Sequence, residues 1–289
     1  MPASDVTVMV NGLPGDMGIE IGQACMRHGF GLATKALSGR RRKDKHVEVE
    51  ETGKKVTVEL VGPEEAGEQA KAVAEMQAKY GAGLVIIDFT HPSAVNSNAD
   101  IYTGAKCPFV MGTTGGDRSK LMKVTNDSET YAVIAPNMCK QIVAFQATMQ
   151  HMSKSYPGAF GGYKLELVES HQSSKADTSG TAKAMVQSFT DLGVEPFTVE
   201  DIQKIRAPEE QKKFGVPEDA LLGHAWHTYT LTSKDGSVVF QFKHNVCGRR
   251  TYAEGVADAV QFLAEKVSSG SKKRLFSMID VLGEGAMSA

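Results

Sequence analysis

The sequence predicts an α/β fold in which a doubly wound parallel sheet is combined with a smaller, inserted α+β domain. Short apolar runs alternate with segments of helical spacing over roughly the first 135 residues, which is the pattern of repeated strand–helix units. Leu84–Phe89 is apolar at nearly every position, as strands covered by helices on both faces are. After Pro136 this alternation ends, and longer amphipathic elements take its place.

Each element of the first part follows from its local pattern. The strands are short apolar runs that end at glycine or polar turns, at Val6–Val10, Leu32–Leu37, Leu84–Phe89, Phe109–Met111 and Tyr131–Ile134. The helices carry apolar residues at helical spacing, at Gly18–His28, Glu64–Tyr80, Ser93–Tyr102 and Ser119–Asn126. Alternating residues in His46–Glu50 and Val56–Leu60 flank a glycine turn and predict a β-hairpin.

The second part is predicted to be a separate domain, inserted before the last long helix. Its helices are Ile142–Ser155 and Thr181–Leu192, and its strands are Tyr163–Glu169, His224–Thr232 and Val238–Asn245. Residues 194–220 are polar and contain prolines, which predicts a loop. Because helix Glu254–Val267 returns to the first domain, the predicted division is residues 1–137 with 250–289, and residues 138–249.

The composition is ordinary for a globular protein and argues against several classes of function. Charged residues make up 23% of the 289 residues and the net charge is −2, so no global field favours nucleic acid. No apolar run reaches the length of a membrane span, and the N-terminus lacks the apolar core of a secretory signal. The four cysteines are scattered, which predicts reduced thiols, no metal site and a cytoplasmic location, or the plastid stroma in a plant.

A glycine turn between the first strand and the first helix predicts a dinucleotide site. The first glycine of the motif permits a tight turn, the second lets a phosphate approach the backbone, and the third lets the helix pack on the strand. These glycines are Gly12, Gly15 and Gly18. Amides at the helix N-terminus would then bind the pyrophosphate. The alternative is a glycine-rich loop without a ligand.

The second predicted strand is followed by cations and not by an acidic residue. Folds that bind NAD place an acid there for the ribose hydroxyl, whereas this chain has Arg40 and Arg41 within a basic run. Guanidinium groups suit a 2′-phosphate. We therefore predict NADPH as the cofactor, with NADH as the alternative, while a solvated charged loop is the other interpretation of the run.

Two further loops leave the carboxyl ends of predicted strands, where a doubly wound sheet binds the nicotinamide. Thr90 lies in the first loop, and Gly112, Thr113 and Thr114 lie in the second. These small residues leave room for a flat ring. Ordinary turns with threonine caps are the alternative.

The segment Glu169–Lys183 carries groups for acid–base chemistry. His171 and Lys175 lie four residues apart, and an imidazole titrates near neutral pH, so His171 can supply a proton. Ser179, Gly180 and Thr181 then open a helix whose N-terminal amides can bind a carboxylate. The pattern predicts a proton donor and a cation acting on a small dianionic substrate.

These motifs together resemble the 4-hydroxy-tetrahydrodipicolinate reductase family, also called the dihydrodipicolinate reductases, over nearly the whole chain. The matching motifs are Gly12–Gly18, Asp88-Phe-Thr-His-Pro92, Gly112-Thr-Thr-Gly115, Ala135-Pro-Asn-Met138, Glu169–Thr181 and Phe242-Lys-His244. The segment from Glu169 to Thr181 is the most specific of them. A single histidine at His171-Gln172 and a shortened loop before Ser179 resemble the plant-type branch.

The resemblance implies a Rossmann-like dinucleotide domain, a substrate-binding and oligomerisation domain at 138–249, and a homo-oligomer that is a dimer or a tetramer. It implies His171 as the proton donor and Lys175 as its cationic partner. It implies that the carboxylates of the substrate are bound by Ser179, Gly180 and Thr181, with His244 as a further substrate contact. The implied cofactor residues are Gly12, Gly15, Met17, Gly18, Thr90, Gly112, Thr113, Thr114 and Asn137.

The implied reaction reduces 4-hydroxy-tetrahydrodipicolinate to tetrahydrodipicolinate, with loss of water, in lysine and diaminopimelate biosynthesis. A hydride adds to C4 of the ring, and His171 gives a proton to the carbon that becomes electron-rich. Two alternatives stay open, namely another NADPH-dependent dehydrogenase of the aspartate or homoserine type and a catalytically silent NADP-binding regulator. The regulator needs no proton donor, so His171 and Lys175 argue against it.

Overall fold

The computed structural model describes residues 1–39, 44–64 and 67–285. They form two compact units, of which the first is Met1–Lys140 together with the chain from Arg250 onward, and the second is Gln141–Arg249. Among the described residues, no helix combines the length and the apolar composition needed to cross a membrane.

The strands are β1 (Thr7–Asn11), β2 (Gly31–Leu32), β3 (Lys35–Leu37), β4 (His46–Glu51), β5 (Lys54–Val61), β6 (Leu84–Asp88), β7 (Phe109–Met111), β8 (Ala132–Ile134), β9 (Lys164–His171), β10 (Gln203–Ile205), β11 (His224–Thr232), β12 (Val239–Cys247) and β13 (Leu275–Phe276). The helices are α1 (Asp16–Arg27), α2 (Glu68–Tyr80), α3 (Val95–Gly104), α4 (Arg118–Asp127), α5 (Lys140–Ser155), α6 (Gly180–Asp191), α7 (Pro208–Phe214), α8 (Arg250–Ser268) and α9 (Met278–Gly283).

The first unit is built on a six-stranded sheet in the order β13–β8–β7–β6–β1–β2. Every pairing in it is parallel, and helices connect the strands, which confirms the predicted doubly wound fold. All five residues of β6 are buried, as its uninterrupted apolar pattern predicts. The carboxyl ends of β1, β6 and β7 therefore meet at one edge of the sheet.

The predicted strand Leu32–Leu37 is wrong as a single element. β2 pairs with β1 in the main sheet, whereas β3 pairs with β5 in a separate three-stranded sheet of order β3–β5–β4. The chain changes sheets at Thr34, whose carbonyl accepts a hydrogen bond from the Glu59 amide at 2.8 Å. The predicted hairpin of β4 and β5 is confirmed and supplies the strand that draws β3 away.

The second unit has a four-stranded sheet in the order β10–β9–β11–β12. One face packs against apolar side chains of α5 and α6, in a core that includes Leu167, Phe189 and Tyr229. The prediction of a loop over residues 194–220 is wrong in part, since β10 and α7 lie within it. Pro208 suits the first turn of α7 because no helical N–H is needed there, and β10 is recognisable only from its parallel pairing with β9.

Candidate functional site

The glycine turn of the first unit has the shape that a dinucleotide requires. Gly12 follows β1 with a φ of +110°, and a Cβ atom there would collide with the carbonyl oxygen of Phe89. Gly15 is the N-cap of α1, and its amide donates to the Gly12 carbonyl at 3.0 Å. A side chain at Gly112 would likewise collide with the Phe89 ring. The backbone is thus open at the start of α1, where a phosphate would bind.

A buried carboxylate organises the loops beside this turn. Asp88 is fully buried, and its Oδ1 accepts hydrogen bonds from the hydroxyls of Thr90 at 2.8 Å and Thr113 at 2.7 Å. Its Oδ2 accepts from the Tyr102 hydroxyl at 2.6 Å and from Nδ2 of Asn98 at 2.8 Å. The side chains of Thr90 and Thr113, predicted to lie beside the nicotinamide, are therefore held by one group.

The same network reaches the end of β3. Nδ2 of Asn11 donates to the Tyr102 hydroxyl at 2.8 Å, and Oδ1 of Asn11 accepts from the Leu37 amide at 2.7 Å. The Gly12 amide donates to the Leu37 carbonyl at 2.9 Å, so β3 ends beside the glycine turn. Arg40 and Arg41, predicted to bind the 2′-phosphate, lie outside the described residues.

Thr113 and Thr114 line a cavity of about 240 Å³ together with Gly115, Gly116 and Pro136. Met17 is half-buried in the first turn of α1, and Oδ1 of Asn137 accepts a hydrogen bond from the Cys139 amide at 2.8 Å. The structure therefore gathers the predicted glycine turn, the Thr90 loop and the 112–114 loop at the carboxyl edge of the sheet.

In the second unit, His171 is the last residue of β9 and is 7% exposed, whereas the strand predicted from the sequence ends at Glu169. Residues that alternate along a strand share a face. Glu169 and His171 therefore face the same side as His227, which lies opposite Glu169 in the β9–β11 pair. Nε2 of His171 lies 3.0 Å from Nε2 of His227.

A buried ion pair holds the loop that follows His171. Glu169 is completely buried, and its Oε1 pairs with the guanidinium of Arg206, which directly follows β10. Arg206 also donates to the carbonyl oxygens of Lys175 at 2.8 Å and Asp177 at 3.3 Å. Nε2 of Gln211 donates to the His171 carbonyl at 2.7 Å. Sequence reasoning missed Arg206 and Gln211 because both lie in the stretch it assigned to a polar loop.

The helix start that was predicted to bind a carboxylate is only partly available. Ser179 is the N-cap of α6, but its amide already donates to Oε2 of Glu169 at 3.0 Å. Gly180 is exposed and Thr181 is half-buried. Nζ of Lys175 pairs with Oδ1 of Asp177 at 2.7 Å, and the Asp177 side chain is 74% exposed. Lys175 is therefore paired with an exposed carboxylate and not with a buried one.

The titration of His171 differs from the sequence-based expectation. Burial, together with the charges of Arg206 and Lys175, lowers the pKa of His171 to about 3. Burial is also the main cause that lowers the pKa of His227 to about 2 and the pKa of His244 to about 4. All three imidazoles are therefore neutral at pH 7 in the ligand-free protein.

This burial makes the stability of the protein dependent on pH. The pKa of each of the three imidazoles is lower in the folded protein than its ordinary value of 6.5 in the unfolded chain. The unfolded chain therefore binds more protons than the folded protein below pH 6.5. The free energy of unfolding should therefore be greatest above pH 6.5 and fall as the pH drops towards about 4. Denaturant unfolding at pH values from 7.5 to about 5, where ordinary carboxylates stay ionised, measures this. An equal free energy of unfolding across that range would contradict the lowered pKa values of the three imidazoles. His151→Gln, on the exposed face of α5, is the control and should keep the pH dependence of the wild type.

Side-chain donors of Glu169, His171 and His227 lie within 4.8 Å of one another, a spacing that metal sites share. Both carboxylate oxygens of Glu169 are already engaged, by Arg206 and by the Ser179 amide. The adjacent guanidinium charge opposes a second cation. These contacts argue against a metal ion at this cluster.

Comparison with known proteins decides the family. The family model described as "Dihydrodipicolinate reductase, N-terminus" matches residues 6–138, and "Dihydrodipicolinate reductase, C-terminus" matches residues 142–282. The "4-hydroxy-tetrahydrodipicolinate reductase 2, chloroplastic" of Arabidopsis thaliana is 48% identical over 287 residues, which are 99% of this chain and 80% of the relative. This chain belongs to the dihydrodipicolinate reductase family. The predicted resemblance and the enzyme class, a pyridine-nucleotide-dependent reductase, are thereby confirmed.

Further members of the dihydrodipicolinate reductase family agree with this. A "Probable 4-hydroxy-tetrahydrodipicolinate reductase 2, chloroplastic" of Oryza sativa subsp. japonica is 46% identical over 97% of this chain and 84% of the relative. A solved structure, "Dipicolinate bound Dihydrodipicolinate reductase from Paenisporosarcina sp. TG-14", matches 94% of this chain and 97% of its own with a TM-score of 0.59. At 18% identity it supports the fold alone. The plant relatives support the predicted plant-type branch.

Proposed function

We propose that this protein catalyses the NAD(P)H-dependent reduction of 4-hydroxy-tetrahydrodipicolinate to tetrahydrodipicolinate, with loss of water, in lysine and diaminopimelate biosynthesis. The observation that carries the proposal is the braced segment from Glu169 to Ser179, which places a buried imidazole, a lysine and a helix start in one unit. This segment belongs to a chain that is 48% identical, over nearly its whole length, to a plant reductase of that name.

His171 gives the proton in this proposal. The carboxylates of the substrate bring negative charge towards His171, which raises the affinity of the imidazole for a proton and offsets the effect of burial. The proton then goes to the ring carbon that becomes electron-rich after hydride addition. The proton donor is thus formed when the substrate binds.

Lys175 and the start of α6 bind the substrate. Nζ of Lys175 exchanges the exposed carboxylate of Asp177 for a carboxylate of the substrate, and Gly180 and Thr181 offer the N-terminal end of α6. The Ser179 hydroxyl supplements them, since the amide of that residue is held by Glu169. A contact from His244 to the substrate stays a prediction.

NADPH is the proposed cofactor and, when bound, supplies the hydride. Gly12, Gly15 and Gly18 with Met17 would hold its pyrophosphate at the start of α1, because the backbone there is free of side chains. Thr90, Thr113 and Thr114 would line the nicotinamide, with Gly112 and Asn137 at the adjoining strand ends. The network around Asp88 keeps Thr90 and Thr113 in place.

Arg40 and Arg41 are proposed to bind the 2′-phosphate of NADPH. Arg40→Ala and Arg41→Ala should each raise the KM for NADPH about 10- to 100-fold, since a charge-assisted hydrogen bond contributes about 1.5–3 kcal/mol, and leave the KM for NADH unchanged. Steady-state kinetics with both cofactors measure the ratio. Lys54→Ala, at the exposed start of β5, is the matched control. An unchanged NADPH/NADH ratio in both arginine variants would remove them from cofactor recognition.

A coupled assay tests the proposed function. Purified dihydrodipicolinate synthase generates the unstable substrate in the cuvette, and the absorbance of the reduced nicotinamide at its long-wavelength band reports turnover. We expect oxidation of NADPH that depends on both enzymes. Turnover of an amino acid or an aldehyde in place of this substrate would favour the other dehydrogenase, of the aspartate or homoserine type, and cofactor binding without oxidation would favour the silent regulator.

The cellular setting follows from the relatives. Both the Arabidopsis thaliana and the Oryza sativa proteins carry "chloroplastic" in their names, which supports the plastid stroma as the location of this protein. We also propose a homo-oligomer, either a dimer or a tetramer, whose mass light scattering would distinguish.

A further inference from the structure

A buried negative charge lies directly behind the loops that carry Thr90 and Thr113. Asp88 is fully buried at the carboxyl end of β6. Its carboxylate accepts five hydrogen bonds, which come from the amide and the hydroxyl of Thr90, the hydroxyls of Thr113 and Tyr102, and the carboxamide of Asn98. All of these donors are electrically neutral groups. In the part of the chain that the structure describes, these contacts therefore leave the charge of Asp88 without a positive partner.

A backbone amide fixes the direction of the hydrogen bonds on one side of this carboxylate. The Leu37 amide donates to Oδ1 of Asn11 at 2.7 Å, so the other terminal atom of that side chain is its NH₂ group. This NH₂ group donates to the Tyr102 hydroxyl at 2.8 Å. The hydrogen of the Tyr102 hydroxyl then points at Oδ2 of Asp88, which is 2.6 Å away. Burial and the charge of Asp88 raise the pKa of Tyr102, so the phenol keeps this hydrogen.

The hydrogen bonds on the other side are fixed by groups that can only donate. The Thr90 amide donates to the hydroxyl oxygen of Thr113 at 2.9 Å, and that hydroxyl directs its own hydrogen to Oδ1 of Asp88 at 2.7 Å. Nδ2 of Asn98 donates to Oδ2 of Asp88 and to the hydroxyl oxygen of Thr90. The Thr90 hydroxyl likewise directs its hydrogen to Oδ1 of Asp88, at 2.8 Å. All five groups point a hydrogen at Asp88, so the carboxylate itself carries none.

The position of this charge places it close to the proposed site of the nicotinamide. Thr90 and Thr113, which are proposed to line the ring, are half-buried, whereas Asp88 behind them is not exposed at all. One layer of side chains therefore separates the carboxylate from that site. Buried charges are screened little by salt, and their interactions are stronger in a protein interior than in water. The charge of Asp88 therefore acts on any charge that forms on the ring.

We propose, resting on the proposed function, that the negative charge of Asp88 stabilises the positive charge that develops on the nicotinamide during hydride transfer. In that step the C4–H bond of the dihydronicotinamide breaks and its electron pair forms a C–H bond on the substrate. The nicotinamide ring, which was neutral, is left with a positive charge. The hydrogens around Asp88 already point at the carboxylate, so its charge acts without reorganisation of the surrounding groups. Asp88 acts through space, since Thr90 and Thr113 lie between the carboxylate and the ring.

A binding measurement on the wild-type protein tests this charge without any turnover. NADP⁺ is compared, by calorimetric titration, with a neutral isostere in which a benzamide ring replaces the nicotinamide ring. Both molecules carry a flat ring with the same carboxamide, and they differ in the charge of that ring. We expect NADP⁺ to bind about 10-fold more tightly, which corresponds to about 1.4 kcal/mol. Equal Kd values for the two molecules would overturn the proposal, and no variant that could misfold enters this comparison.

Two neutral variants, Asp88→Asn and Asp88→Ser, should abolish the preference for NADP⁺ over the benzamide isostere. They disturb the site differently, since asparagine brings an NH₂ group among donors and serine leaves a smaller side chain. Tyr102→Phe is the matched control, because it removes one neutral donor from the carboxylate but keeps the charge. It should keep the preference even though both molecules bind more weakly. A preference that persists in both Asp88 variants, or that is lost in Tyr102→Phe, would contradict the proposal.

Kinetics connect the charge to the reaction. Asp88→Asn should lower kcat about 10-fold, because the transition state loses the stabilisation that the binding comparison measures. The isotope effect with C4-deuterated NADPH should rise at the same time, since hydride transfer becomes the slowest step. A kcat and an isotope effect equal to those of the wild type would show that the charge does not act on hydride transfer.

The binding comparison separates this proposal from the proposed function. A preference for NADP⁺ that depends on Asp88, in a protein that does not reduce the proposed substrate, would identify the proposed reaction as the failure. Equal binding of NADP⁺ and its benzamide isostere by an active reductase would overturn only the role of Asp88.

Discussion

Replacing His171 by alanine is expected to lower kcat about 100-fold or more, because the variant has no group to protonate the carbon that receives electron density. His171 is the last residue of β9, where His227 contacts its Nε2 and Gln211 donates a hydrogen bond to its main-chain carbonyl. A group held this firmly is suited to transfer a proton in one fixed geometry. The KM for substrate should change little, since carboxylate binding is assigned to other residues.

The coupled assay measures this loss, and His151→Ala is the matched control. His151 is an exposed histidine on α5 in the same unit. Because His171 is uncharged in the free protein, its removal should leave the Kd for NADPH unchanged, which fluorescence titration checks. A kcat for His171→Ala within a factor of about three of the wild-type value would end its assignment as the proton donor.

Lys175→Ala is expected to lose about 100-fold in kcat/KM by a different route. Its ammonium group is the cation proposed to bind a substrate carboxylate, so both binding and the charge balance around His171 change. Removal of this charge also removes one cause of the lowered pKa of His171. We therefore expect the loss chiefly in KM, with Lys154→Ala on α5 as the control. A normal KM would show that the Lys175–Asp177 pair is only structural.

The sequence was sufficient to predict those parts of the molecule that depend on local pattern. Phe109–Met111 has the predicted bounds, and the buried strand at Leu84 differs by one residue at its end. The glycine turn at Gly12 was predictable because a positive φ beside a close backbone contact leaves few alternatives to glycine. The helix that opens after Ser179 was also predictable from its local pattern.

Groups that act through long-range pairing were not predictable. Arg206 reaches Glu169 only because β10 lies parallel to β9, and a three-residue strand has no periodicity to reveal it. His227 and Tyr229 read as ordinary alternating residues of a hairpin, and only the register of β11 with β9 brings them to His171. The neutral state of His171 had no local signal either, since burial and the charge of Arg206 depend on the folded sheet.

Arg206→Ala is expected to lower the free energy of unfolding by about 3–5 kcal/mol, because it leaves a buried carboxylate without its partner. Glu169 is completely buried, and its other oxygen is bonded to the Ser179 amide, so the charge cannot turn towards water. The carbonyl oxygens of Lys175 and Asp177 lose a donor in the same variant. The loop that carries Lys175 should therefore loosen, and kcat/KM should fall as well.

Denaturant unfolding measures this loss of stability. Lys164→Ala is the control, because it removes an exposed ion pair on the same strand. Lys164 pairs with Glu166 at 3.0 Å, but both side chains are more than half exposed, so its loss should cost less than about 1 kcal/mol. Adding Glu169→Gln to Arg206→Ala removes the buried, unpaired charge of Glu169. The double variant should regain part of the stability but not the activity. An Arg206→Ala variant no less stable than Lys164→Ala would show that Arg206 does not brace the segment that carries Lys175 and Ser179.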